Sequence, residues 1–144
     1  MVSVYCYHLL QAELYEELVE IATSPLAIDC GPTASIEYVH GLALLKLERF
    51  EEAIEPFRKC IAKRDEPAFT ARFKGVEGHG PHHLLADCLA KTGQEEAATA
   101  EYEQALDMAP EATSVRHGYA HYLTELEQPE KAVKLLFDAI ENGS

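Results

Sequence analysis

The sequence predicts an all-α chain of about eight helices, paired as antiparallel hairpins. Three observations carry this. Apolar residues recur at helical spacing along nearly the whole of the 144 residues, in segments of ten to fifteen. The composition is rich in Ala, Leu and Glu and has no long β-branched runs, with 47% hydrophobic and 26% charged residues, as for an ordered helical domain. Gly, Pro and acidic punctuation then separates the helical segments in a regular way.

In chain order, residues 3–12 and 14–23 place Val4, Tyr5, Leu9 and Leu10, then Leu14, Tyr15, Leu18, Ile21 and Ala22, at helical spacing, with a turn near Glu13. Ser24-Pro25 closes the second helix, because a residue before proline is pushed out of the helical region. Residues 30–33 read as a loop, 34–47 as a helix, Glu48 and Arg49 as a turn, and 50–64 as the next helix. Pro56 falls inside that helix and predicts a kink. Residues 65–80 are irregular, with Pro67, Gly75, Gly78 and Gly80. Pro81 then opens a helix that runs to Lys91 or Thr92, since a missing N–H costs little there. Gly93 stops it and Glu95 to Met108 follow. Thr113 or Ser114 is expected to cap a helix reaching Leu126. The last helix runs from Pro129 to Glu141 and stops at Asn142-Gly143.

Residues 34–67, 79–112 and 113–144 align on one another. Their first helices carry a small residue at Gly41, Ala86 and Ala120, followed by Leu44, Leu89 and Leu123. Their second helices carry Ala53, Ala98 and Ala132, then Phe57, Tyr102 and Leu136, then Cys60, Ala105 and Ala139. Small residues seven apart share one helix face and let a neighbouring backbone approach. The copy at 79–112 is the clearest, with Leu85, Ala86, Leu89, Gly93, Ala98, Tyr102, Ala105 and Pro110.

This pattern resembles the tetratricopeptide repeat. The resemblance covers 34–144 apart from an insert at 68–78, and more weakly 1–32. At the position usually held by a large aromatic in the first helix the chain has Glu37, His82 and Arg116 instead. The resemblance implies a single domain over 1–144 in which hairpins stack into a right-handed α-solenoid with a concave groove. It implies protein or peptide binding through first-helix side chains lining that groove: Tyr38, Leu42 and Lys46, then His83, Asp87 and Lys91, then His117, His121 and Glu125. Gln94 to Pro110, by contrast, is expected to be packing alone. The alternative is an accessory repeat region of a larger enzyme, such as a bacterial multidomain glycosyltransferase. The Lys and Asn that grip a C-terminal carboxylate in a known branch of the family are missing at the matching positions, as is an asparagine ladder.

A net charge of −13 argues against nucleic acid and against anionic membrane surfaces. A basic or hydrophobic peptide is the more natural partner. Cys6, Cys30, Cys60 and Cys88 form no C-x-x-C pair and read as buried hydrophobes of a reducing compartment. The N-terminus lacks a basic lead and no stretch is long enough to span a membrane, so a cytoplasmic location is expected. His117 and His121, four apart, have a zinc-compatible spacing that Asp87 or His83 would complete, but no HExxH accompanies them and no metal or other cofactor is expected. No phosphate-binding loop or nucleophile elbow is present, so no catalysis is expected. Phe69, Arg72, Phe73 and Lys74 of the insert either tuck against the second repeat or form a lid. The last helix, with Val133, Leu136, Phe137 and Ile140, ends without a polar cap. That predicts a fragment of a longer protein or, failing that, a homo-oligomer through this face.

Overall fold

Four hairpin turns of identical construction set the architecture. A computed structural model describes residues 2–25, 33–63 and 78–141. Within them the helices are α1 (Val2–Gln11), α2 (Tyr15–Ala22), α3 (Ala34–Lys46), α4 (Phe50–Lys63), α5 (Gly80–Lys91), α6 (Glu95–Met108), α7 (Thr113–Glu125) and α8 (Pro129–Glu141). Between the members of each pair one residue adopts a left-handed conformation: Glu13, Glu48, Gly93 and Glu127, with φ of 60°, 58°, 79° and 58°. The following N–H groups of Leu14, Arg49, Gln94 and Gln128 donate back to the carbonyls of Leu9, Leu44, Leu89 and Leu123. These backbone bonds satisfy the last carbonyls of each first helix and reverse the chain tightly. Only one copy uses the glycine that this conformation favours. The other three place glutamate there, and the common register becomes visible only in the backbone.

Successive hairpins stack side by side into an α-solenoid, with no strand among the described residues. The aligned small positions do the work expected of them. Gly41, Ala53, Ala86, Ala98, Ala105 and Ala132 are buried, Phe57 packs against Gly41 and Tyr38 within its own hairpin, and Tyr102 packs against Tyr119 and Tyr122 of the next. One core cluster runs from α3 through α8, and a second joins α1 and α2 to α3. The α6–α7 seam is the most lightly packed joint between successive hairpins.

The three polar residues at the first helix's aromatic position are all buried, and each is tied to the second helix of its own hairpin. Glu37 meets Lys63 Nζ at 3.4 Å, His82 Nδ1 meets Glu101 Oε2 at 2.6 Å, and Arg116 donates to the Leu135 carbonyl at 3.0 Å. A buried charge persists only with such a partner. Burial, opposed by Lys63 and Lys59, holds the Glu37 carboxyl above its ordinary range. A carboxyl that is harder to ionise when folded contributes its full share of stability below the unfolded value. That share is lost as the pH rises through the folded value. Glu37→Gln should therefore flatten the stability curve from the ordinary glutamate range upward. Chemical denaturation of both chains at a series of pH values checks it, and parallel curves would contradict it.

Some expectations need correcting. Neither Thr113 nor Ser114 caps α7. Thr113 is its first helical residue, Ala112 precedes it, and no side chain supplies a cap. The Ala112 N–H turns back to the Ala109 carbonyl, and the helix's own bonds begin with the Arg116 N–H to the carbonyl of Ala112. Thr33, read as loop, is a side-chain cap, accepting from the Ile36 N–H at 3.3 Å. As expected, α4 runs through Pro56 to Lys63 as one helix, with Pro56 buried within it. Cys6, Cys60 and Cys88 are buried, as expected, and burial, with the Asp87 charge, pushes Cys88 up to about 12. Cys30, the residues of the insert up to Glu77, Asn142-Gly143 and the side chains of Ala139 and Ile140 lie outside the described residues.

Candidate peptide-binding groove

Side chains of the first helices α3, α5 and α7 meet at one recess of the solenoid. On α5, Asp87 is fixed from two directions. The Tyr102 hydroxyl donates to Asp87 Oδ1 at 2.5 Å, and His83 Nε2 lies 3.5 Å from Oδ2. Tyr102, on α6, is 2% exposed, and its ring stacks on Tyr119 at 5.1 Å and packs at 5.6 Å against Tyr122, both on α7. Burial, followed by the hydrogen bond to Asp87 and nearby carboxylates, pushes the Tyr102 phenol well above its ordinary value. Its proton therefore stays on the oxygen and points at Asp87.

Gly118 of α7 faces the His83 side chain of α5. A methyl group there would lie 2.9 Å from His83 Nε2, so the missing side chain is what admits the imidazole. One turn further along, the helices diverge and leave a recess of about 250 Å³. Asp87, Lys91, His121 and Glu125 line it, four of the nine groove residues expected from the sequence. Leu45 of α3 and Phe50 of α4 form an apolar wall, and Tyr102 and Tyr122 lie on the α6–α7 side. His121 Nδ1 stands 3.7 Å from Glu125 Oε1 at the exposed rim. Tyr122 is 5% exposed, and its hydroxyl is buried without a hydrogen-bond partner among the described residues.

The other expected residues lie elsewhere. Tyr38 is half-buried and packs edge-on against Phe57 at 6.4 Å, joining the two core clusters. Leu42 is half-buried, Lys46 and His117 are exposed, and none of the three lines the recess. His83 supports Asp87 from below. The expected separation between packing helix and groove fails at Tyr102, which serves both. A tyrosine where the other copies carry Phe57 and Leu136 was the available signal, because a buried phenol needs a partner. A wider cleft of about 560 Å³ opens at the lightly packed seam, on the adjoining face of α7, between Glu95, Glu96 and Glu103 of α6 and Leu123 and Lys131. Among the described residues no three His, Cys, Asp or Glu side chains stand close enough to hold a metal ion, and no helix is long and apolar enough to cross a membrane.

Residues 36–62 and 80–111 match the family model described as Tetratricopeptide repeat. These two stretches are tetratricopeptide repeats. Solved structures of other repeat proteins share its fold. MamA superposes with a TM-score of 0.78 at 16% identity, over 97% of this chain and 75% of MamA. YrrB, described as a TPR protein with an unusual peptide-binding site, gives 0.76 at 18% identity over 94% of this chain and 64% of YrrB. MamA AMB-1 gives 0.75 at 16% over 99% and 73%. No curated protein matches the sequence. At these identities the likeness is one of fold, and the tetratricopeptide array is a scaffold for protein–protein interaction.

Proposed function

We propose that the chain holds an extended segment of a partner protein along the concave side of α3, α5 and α7, with the recess at Asp87 and Glu125 gripping one side chain of that segment. The observation that carries this reading is the convergence of Asp87, Lys91, His121 and Glu125, from two successive first helices, on one recess backed by buried tyrosines. A pocket with an apolar wall and a few convergent polar groups is the usual form of a recognition site. YrrB, a repeat protein of the same fold, has a peptide-binding site, which supports a peptide as the ligand class. Recognition is non-covalent and needs no bond-making group.

A random peptide library displayed on phage and selected on the full chain tests it. Selected peptides should lose at least about tenfold in affinity against Asp87→Asn/Lys91→Ala/Glu125→Ala, the loss of one or two charge-assisted contacts. They should bind Val133→Ser/Phe137→Ser, on the exposed face of α8, as they bind the parent. Binding that survives the first variant and fails with the second would overturn the proposal.

A further inference from the structure

We infer that the recess between α5 and α7 takes an arginine side chain of the bound segment. This rests on the peptide-binding reading above and adds its chemistry. Two carboxylates stand at the recess. Asp87 has Oδ1 fixed by the Tyr102 hydroxyl and Oδ2 3.5 Å from His83 Nε2, and it still has acceptor capacity because each oxygen has two lone pairs. Glu125 belongs to the facing helix, and its side chain is about half exposed and free to swing inward. The independent observation is Tyr122. Its buried hydroxyl has no partner among the described residues, although it belongs to a residue that lines this recess. Buried polar groups are almost always paired, and one left over beside an open recess points to a donor supplied from outside.

The donor must carry several N–H groups and a positive charge. Guanidinium has five donors in a rigid plane, enough to serve two carboxylates and a phenolic oxygen of the same recess. An ammonium is a point charge that satisfies fewer fixed acceptors and is more strongly hydrated. Leu45 and Phe50 supply the apolar wall against which the three methylenes of an arginine lie. Lys91 stands at the same recess as an exposed side chain. It displaces outward when the guanidinium enters, at little cost because its ammonium is already solvated. A carboxylate ligand would meet two like charges against the single opposite charge of Lys91, and the chain's net charge of −13 disfavours its approach.

The test uses N-acetyl-L-arginine amide as the probe, titrated into the full-length 15N-labelled chain and followed by amide chemical shifts. Saturable shifts are expected at residues 87–91 and 118–125. N-acetyl-L-citrulline amide, which has nearly the same shape and no charge, should leave them unmoved, and N-acetyl-L-lysine amide should bind about fivefold or more weakly. Glu125→Gln should weaken arginine amide about tenfold, and the near-isosteric Tyr122→Phe about three- to tenfold with its fold intact. Equal binding of citrulline amide, unaltered binding to both variants, or no saturable shift at the recess overturns the inference. Library-selected peptides that dock at the recess without an arginine also overturn it, and leave the peptide-binding reading standing. Arginine amide that saturates the recess while no peptide binds has the opposite meaning: the inference stands and the peptide-binding reading falls.

Discussion

Replacing Phe57 with alanine should cost about 3–5 kcal/mol, the range for a large aromatic removed from a fully packed core. Phe57 is fully buried, and its ring fits against Gly41 so closely that a methyl group added there would lie 2.8 Å from two ring carbons. The same geometry makes the two positions interdependent. Gly41→Ala alone should cost about 1–3 kcal/mol by overpacking. In a Phe57→Leu background the clash is gone, and the better helix propensity of alanine should make the change neutral or stabilising by up to about 1 kcal/mol. Urea denaturation of the four chains completes the double-mutant cycle. Additive effects would show that the ring and the glycine do not share the space assigned to them.

Arg116→Ala carries the second large effect. The guanidinium donates to the Pro110 carbonyl at 2.7 Å and to the Leu135 carbonyl at 3.0 Å, joining the loop before α7 to the middle of α8. Losing two bonds to a charged donor, with the carbonyls left short of a partner, should cost about 2–4 kcal/mol. Lysine should recover little, since one ammonium cannot span both acceptors as the forked guanidinium does. Because the α6–α7 seam is lightly packed, the loss should appear first as faster amide hydrogen exchange in α7 and α8, with α3 to α5 still protected. Uniformly faster exchange across the chain would mean that Arg116 does not act locally.

The hairpins were legible in the sequence because their signals are redundant. Small residues at Ala53, Ala98 and Ala132, and the leucines before each turn, report the same packing that the structure displays. Turn chemistry was less legible. Gly93 announces its left-handed conformation, whereas Glu13, Glu48 and Glu127 adopt it only because two backbone hydrogen bonds at each turn outweigh the steric cost. The cap of α7 was misplaced because side-chain rules see Thr113 and Ser114, while a backbone turn at residues 109–112 leads the chain in and the helix starts behind Ala112, which has no side-chain acceptor.

The recess was half legible. Spacing alone puts Asp87, Lys91, His121 and Glu125 on the faces of α5 and α7, but how far two helices diverge depends on what lies between them. Here Gly118 leaves room for the His83 imidazole, and Tyr102 of the next helix holds Asp87. Tyr122 could not be singled out from its neighbours, because an unpaired hydroxyl is a property of the packed structure.

Photo-cross-linking tests the central claim most directly. Benzoylphenylalanine placed at position 121, on the exposed rim of the recess, is compared with the same group at position 137 on the exposed apolar face of α8, each with the library-selected peptides. Binding along the concave side predicts efficient capture from position 121 and background capture from 137. Capture from 137 with none from 121 would place the partner on α8 and contradict the account.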